Sequence, residues 1–289
     1  MKASPHPLYG AMLSLGAVFL FAGQDVIAKY LTLVYPALLV VWARFAVQTA
    51  LMGVVYVPTM GLSILHTRLW RLQLVRGLCM LMASICFVVG LRYVPVGEAT
   101  AVVYLSPLLV ITYSARVLKE RIRFGQWLAV FCGLAGVLMI VRPGSALFTP
   151  AVLLPLGAAV ALAVYQMLTR RVLSVDNPVA SNFITSVICL AISSALVPFF
   201  WVMPTFGACL LVAAQGAIAM TGHMLLTFAY RNTSAARLAP FTYAQIVFAS
   251  LFGFLFFGHA PDQATLAGMG VIIASGLGLV LSQRRSIKV

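Results

Sequence analysis

LRYVPVGEATAVVYLSPLLV (residues 91–110) and YRNTSAARLAPFTYAQIVF (residues 230–248) are two versions of one arrangement, offset by about 138 residues. In each, a short polar link joins two apolar runs, the second run opens on small residues, and a proline interrupts it, Pro107 in one copy and Pro240 in the other. A further apolar run follows each after a tight turn: RIRFGQWLAVFCGLAGVLMIV (121–141) and APDQATLAGMGVIIASGLGLVL (260–281). The repeating unit holds five such runs. An odd number of membrane crossings forces the second copy to start from the opposite side, so the two copies are inverted.

Composition makes the runs membrane helices. Of 289 residues 63% are hydrophobic and 8% charged, against roughly 25% charged in a soluble domain. The 19 Lys and Arg with 5 Asp and Glu cannot cover a water-soluble globule of this size. At about 20 residues per membrane helix, ten helices take roughly 200 residues and leave only short loops. The runs lack the ten-residue alternation of a membrane barrel. Reading between charges and Pro or Gly breaks predicts helices over 8–28, 36–57, 74–91, 97–118, 124–141, 151–170, 179–198, 207–230, 235–257 and 264–283.

Basic residues set the orientation. With the N-terminus inside, cytoplasmic segments hold Lys2, Arg68, Arg71, Arg76, Arg116, Lys119, Arg121, Arg123, Arg170, Arg171, Arg231, Arg237, Arg284, Arg285 and Lys288, fifteen in all. The other side holds three, Lys29, Arg92 and Arg142, while Arg44 falls inside helix 2. That asymmetry follows the positive-inside rule. The expected fold is therefore an all-α membrane protein of ten transmembrane helices, two inverted five-helix repeats (1–143 and 144–289) in one integrated domain, with both termini cytoplasmic.

The net charge of +14 is dispersed between apolar runs rather than gathered on a polar face, so no nucleic-acid partner is expected. Cys79, Cys86, Cys132, Cys189 and Cys209 lie in apolar runs without metal-ligand spacing and read as packing residues; no metal or cofactor is expected. An intramembrane enzyme would need a nucleophile with its base, a carboxylate pair or a metal cluster, and the chain has neither HExxH nor GxSxG. A phosphate-binding glycine loop is also missing, as is the charge ring of a channel. A carrier remains.

In FAGQDVIAKYL (21–31), VVWARF (40–45), GLRYVPVGEATAVVYLSPLLV (90–110) and LKERIRFGQWLAVFCGLAGVLMIV (118–141), the chain resembles the ten-helix EamA-type carriers of the drug/metabolite transporter superfamily. The resemblance runs over essentially the whole chain. It implies a multi-pass carrier of the inner (plasma) membrane, often an exporter of amino acids or related metabolites, with a cavity lined by helices 1–4 and 6–9 and with helices 5 and 10 as a peripheral scaffold. One departure stands out: the acid after helix 4 is Glu120, and its counterpart after helix 9 is His259.

Polar groups at membrane depth are the candidates for substrate binding, because burying them unsatisfied in hydrocarbon is costly. Arg44 reads as a carboxylate anchor, or alternatively as a structural ion pair or a snorkelling cation. His223 is the one histidine well inside a span; it reads as a proton or substrate partner, or as a satisfied packing group. Tyr104, Tyr165, Gln166, Tyr243 and Gln245, with Gln24 and Ser84, supply phenols and amides suited to a zwitterion with an apolar side chain. Pro107 and Pro240 kink corresponding helices and shape the cavity or gate it. Asp25 and Lys29, four apart, read as a surface ion pair ahead of a gate, and Glu98 as a helix-capping carboxylate ahead of a proton carrier. The expected function is export of small metabolites, foremost neutral or aromatic amino acids, by facilitated or exchange transport through alternating access. Another metabolite (a vitamin, nucleoside or drug-like cation) is the alternative. The expected partners are the small-molecule substrate and membrane lipid, the protein being a monomer or homodimer.

Overall fold

The protein is described by a computed structural model over residues 7–116, 124–141, 150–232, 238 and 241–284. Among these residues the regular structure is entirely helical. The first half contributes α1 (Pro7–Thr32), α2 (Ala37–Met60), α3 (Trp70–Gly90), α4 (Val96–Val103), α5 (Ser106–Arg116) and α6 (Phe124–Val141). The second contributes α7 (Leu153–Val172), α8 (Pro178–Leu196), α9 (Phe206–Asn232), α10 (Ala244–Phe257) and α11 (Gln263–Arg284). Stop and start signals are local. Asn177 accepts a hydrogen bond from the Val179 amide (2.8 Å) and Pro178 follows it, which starts α8. Gly258, at φ 69, takes the left-handed conformation that ends α10.

Two boundaries correct the expectation. Helix 4, predicted as one run over 97–118, is two helices with a turn at Tyr104 and Leu105. Pro107 has no N–H to offer the Val103 carbonyl and its ring crowds that carbonyl, so the chain breaks one turn earlier; there the Leu105 amide donates to Val102 instead (3.1 Å). Helix 3, predicted over 74–91, starts at Trp70, so Arg71 joins α3, and Arg76, counted with the cytoplasmic charges, lies well inside it. In the second half α10 begins at Ala244, and Pro240 lies outside the described residues.

Among the described residues six segments are long and apolar enough to cross a membrane: Tyr9–Thr32, Ala37–Leu65, Trp70–Gly90, Pro150–Thr169, Pro178–Phe200 and Phe206–Ala229. Shorter apolar helices occupy Val96–Val110, Phe131–Ile140, Ala244–Phe257 and Gln263–Ser275. Their outer faces carry large bare side chains such as Phe124, Phe199 and Phe206, each more than 80% exposed. Such a surface would aggregate in water and is at home in lipid.

The helices interlock between halves rather than within them. α1 packs on α9, and α7 on α3; α2 packs on α9, and α8 on α3; α1 packs on α10, and α7 on α4 and α5. Exchanging the halves (α1 for α7, α2 for α8, α3 for α9, α4 and α5 for α10) turns each of these pairings into its companion. The remaining large interfaces, α2 with α8, α4 with α10 and α6 with α11, join exchange partners directly. In the last, Gly136 and Gly268 bring the backbones together: a Cβ on either would fall within 2.8 Å of the other's carbonyl oxygen.

Candidate functional site

Nine helices, α1–α5 and α7–α10, enclose a cavity of about 550 Å³. None of its lining residues comes from α6 or α11, which pack on each other to one side. The volume suits a small metabolite. Gln24, Arg44, Ser84, Tyr104, Pro107, Tyr165, Gln166, His223, Tyr243 and Gln245 all lie on its wall.

The broken helix of the first half meets the start of α10 there. Tyr104, in the turn between α4 and α5, donates from its hydroxyl to the Thr242 carbonyl (2.7 Å) and lies 3.1 Å from Gln245 Oε1. Its ring is 5.2 Å from that of Tyr243. Gln245, in the first turn of α10, passes the contact on by donating from Nε2 to Asp25 Oδ2 (3.0 Å). Helices α1, α4 and α10 are thus joined by one chain of hydrogen bonds at the cavity wall.

Arg44 on α2 is 3% exposed and donates to Ser84 Oγ on α3 (3.0 Å), with its guanidinium 4.0 Å from the centre of the Phe45 ring. Gln166 reaches Ser106 Oγ, the first residue of α5, at 3.4 Å. His223 on α9 stands 5.0 Å, centre to centre, from the ring of Phe21 on α1. Gln24 Oε1 and Thr100 Oγ1 are buried without a hydrogen-bond partner among the described residues.

Two charged residues of the wall escape the sequence. Arg76, 1% exposed, has every face occupied: it donates to Thr169 Oγ1 (2.7 Å), Gln73 Oε1 (2.9 Å), Ser181 Oγ (2.8 Å) and the Tyr165 hydroxyl (3.0 Å). It ties α3 to α7 and α8 and orients Tyr165. Grouped with Arg68 and Arg71 it reads as cytoplasmic charge, although the helix predicted over 74–91 already contains it; its partners on α7 and α8 are what spacing does not display. Asp25 is the second. The expected surface ion pair with Lys29 is not found: both residues are 6% exposed, Asp25 faces the cavity, and Lys29 Nζ donates to the Val94 carbonyl (3.2 Å). Spacing within α1 cannot reveal partners from α10 and the α3–α4 link. Glu98 does lie in the first turn of α4, where it is buried. His259 is exposed just beyond Gly258, and Glu120 lies outside the described residues.

A second polar cluster fixes one end of the fold. Asp176, between α7 and α8, accepts from the Thr67 hydroxyl, the Arg68 amide (3.2 Å) and Gln73 Nε2 (3.2 Å). Burial raises its pKa, but these donors outweigh burial and hold the carboxyl below its ordinary range. At the opposite end the Tyr35 hydroxyl accepts from the Thr205 amide (3.0 Å) and lies 3.4 Å from Thr205 Oγ1. Thr67 and Thr205 are 138 residues apart, the spacing at which the sequence repeats.

Comparison with known proteins extends this picture. The EamA-like transporter family matches residues 8–142 and again 149–281. An S-adenosylmethionine uptake transporter of Rickettsia bellii is 23% identical, over 92% of this chain and 91% of its own. A riboflavin transporter of Vibrio cholerae is 26% identical, over 95% and 94%. A pseudopaline exporter of Pseudomonas aeruginosa is 28% identical, over 93% and 95%. A solved crystal structure superposes with a TM-score of 0.69 at 24% identity, over 95% of this chain and 98% of that one, and speaks for the fold alone.

Proposed function

The chain belongs to the EamA-like transporter family, and from that premise we propose that this multi-pass membrane transporter is an alternating-access carrier of the bacterial inner membrane for neutral and aromatic amino acids. The observation that carries the reading is the cavity itself: a 550 Å³ space with facing tyrosines, several amides and Arg44 on its wall. A carboxylate has a guanidinium to meet, and a side chain has aromatic faces to lie against. Tyr104, His223, Tyr243 and Gln245, with Tyr165, Gln166, Ser84, Gln24 and Arg44, are the proposed binding wall, and Pro107 and Pro240 the proposed hinges.

The architecture we propose has ten spans, α4 and α5 forming one broken crossing, in two inverted repeats over 1–143 and 144–289 with both termini cytoplasmic. The exchange relation among the helix pairings supports the repeat. Basic asymmetry supports the orientation: with buried Arg76 and Lys29 set aside, fourteen cytoplasmic basic residues still stand against two. Transport is facilitated or by exchange, so net flux follows the gradient, and a metabolite made in the cytoplasm leaves.

A second reading has its own support. The relatives include proteins named for riboflavin and S-adenosylmethionine, both with planar rings, and the Tyr104–Tyr243 pair offers a surface for such a ring. Counterflow into vesicles preloaded with unlabelled amino acids, vitamins or nucleosides separates the two. Accumulation with a neutral amino acid and none with the others is the expected result; accumulation with a vitamin or nucleoside alone replaces the first reading by the second.

A further inference from the structure

We propose that Asp25 is the specificity residue of this carrier and reads the substrate's protonated amino group, so that Asp25 and Arg44 hold the two ends of a zwitterion. The proposal rests on the amino-acid reading above and sharpens it to substrates with a free primary amine. The first ground is geometry. Asp25 is a buried carboxylate on the cavity wall, and its hydrogen bond comes from a neutral amide, Gln245 Nε2 at 3.0 Å. Arg44, the cation on the same wall contributed by α2, likewise has a neutral hydrogen-bond partner in Ser84. Lys29 on Asp25's own helix is turned to Val94 and Phe257. Arg76 is saturated by neutral acceptors on α3, α7 and α8.

An ammonium brings three N–H donors and no acceptor. Asp25 supplies carboxylate oxygens to it, and Gln24 Oε1, buried and without a partner among the described residues, is a further acceptor one residue away on the same wall. The carboxylate of the same molecule then faces the remaining guanidinium donors of Arg44.

The second ground is where the symmetry fails. Matching the first residues of α2 and α8, Ala37 and Pro178, sets an offset of 141 residues. Under it Asp25 corresponds to Gln166 and Arg44 to Thr185. Each of the two charges in the first half thus has a neutral polar residue as its counterpart in the second. A dipolar substrate is therefore held to one wall in one orientation, with its side chain toward the tyrosine pair.

The test compares two substrates that differ only at the amine: L-phenylalanine, and L-phenyllactate, in which a hydroxyl replaces the ammonium. The reconstituted parent is expected to prefer phenylalanine at least tenfold in kcat/KM. Asp25→Asn, which keeps an acceptor for Gln245 but no charge, should bring that ratio to near one, mainly by raising KM for phenylalanine. Asp25→Glu should restore the preference. Retention of the full preference by Asp25→Asn overturns the assignment. If Asp25→Asn does not fold, the parent still decides: equal transport of the two compounds removes the need for an amine reader and sinks the proposal while leaving amino-acid carriage intact. Transport of neither, together with counterflow of another metabolite, removes the amino-acid reading and the proposal with it.

Discussion

Arg76 and Asp176 show how single polar residues hold the helices at one end of the molecule. Arg76 is a guanidinium buried among neutral acceptors from α3, α7 and α8, and a lysine has too few donors, in the wrong geometry, to replace it. Hydrogen bonds to charged groups contribute roughly 1.5–3 kcal/mol each. Arg76→Lys is therefore expected to cost about 2–4 kcal/mol and to lower the thermal midpoint of the purified protein by several degrees. For Asp176 the sign follows from its depressed pKa: its contribution is complete above the ordinary carboxylate value of about 3.9 and is lost as pH falls through the lower folded value. Melting in detergent at graded pH should show a midpoint that declines below about pH 4. In Asp176→Asn that acid-dependent component should vanish, from a midpoint already lowered; an unchanged acid profile would contradict the assigned donors. What the sequence displayed at this scale was residue type and spacing within one helix. The phenols and amides it singled out do line the cavity, but it misread Asp25 and the burial of Arg76, whose Gln245, Thr169, Ser181 and Tyr165 partners come from segments far along the chain.

At the scale of the element, apolar stretches between charges and Pro or Gly breaks match the helices among the described residues, and the corrections fall where backbone chemistry overrides hydrophobicity. The break before Pro107 separates α4 from α5 and puts Tyr104 in the turn that meets α10. Pro107→Ala restores a donor for the Val103 carbonyl and removes the ring clash, which favours a continuous helix. The expected outcome is a carrier at least as stable as the parent but several-fold slower, because Tyr104 is drawn away from Thr242 and Gln245. Paired thermal melts and initial counterflow rates measure both effects, and unchanged rates would remove the hinge role. The α6–α11 interface gives a contrasting expectation. Gly136→Val forces side-chain atoms against the Gly268 backbone and Ile272. Overpacking of this kind costs about 1–3 kcal/mol. Since neither helix lines the cavity, yield and melting temperature should fall while KM for any transported substrate stays at the parent value.

For the whole molecule, the question is which end of the cavity is shut. At the end where α1 finishes and α3 turns into α4, Lys29 donates to the Val94 carbonyl, and Arg92 Nε donates to the Thr32 carbonyl (2.8 Å). Thr32 is the last residue of α1, where the helix dipole favours the positive charge of Arg92, while Val94 lies in the link between α3 and α4. The Phe257 ring of α10 lies 5.3 Å from Lys29 Nζ, so three elements converge on the same point. In the proposed orientation this is the periplasmic end. Phe87, on the cavity wall three residues before α3 ends, lies roughly 5 Å of helix rise beneath it. A Phe87→Cys carrier lacking its five native cysteines should resist an impermeant maleimide added from the periplasmic side. Adding Lys29→Ala and Arg92→Ala removes both reciprocal contacts and leaves the apolar packing in place. The maleimide should then label position 87 at least tenfold faster, and saturating substrate should alter the rate, because alternating access couples occupancy to which end is open. Labelling as slow as in the single-cysteine parent would mean that the two cations decorate this end and something other than their hydrogen bonds keeps it closed.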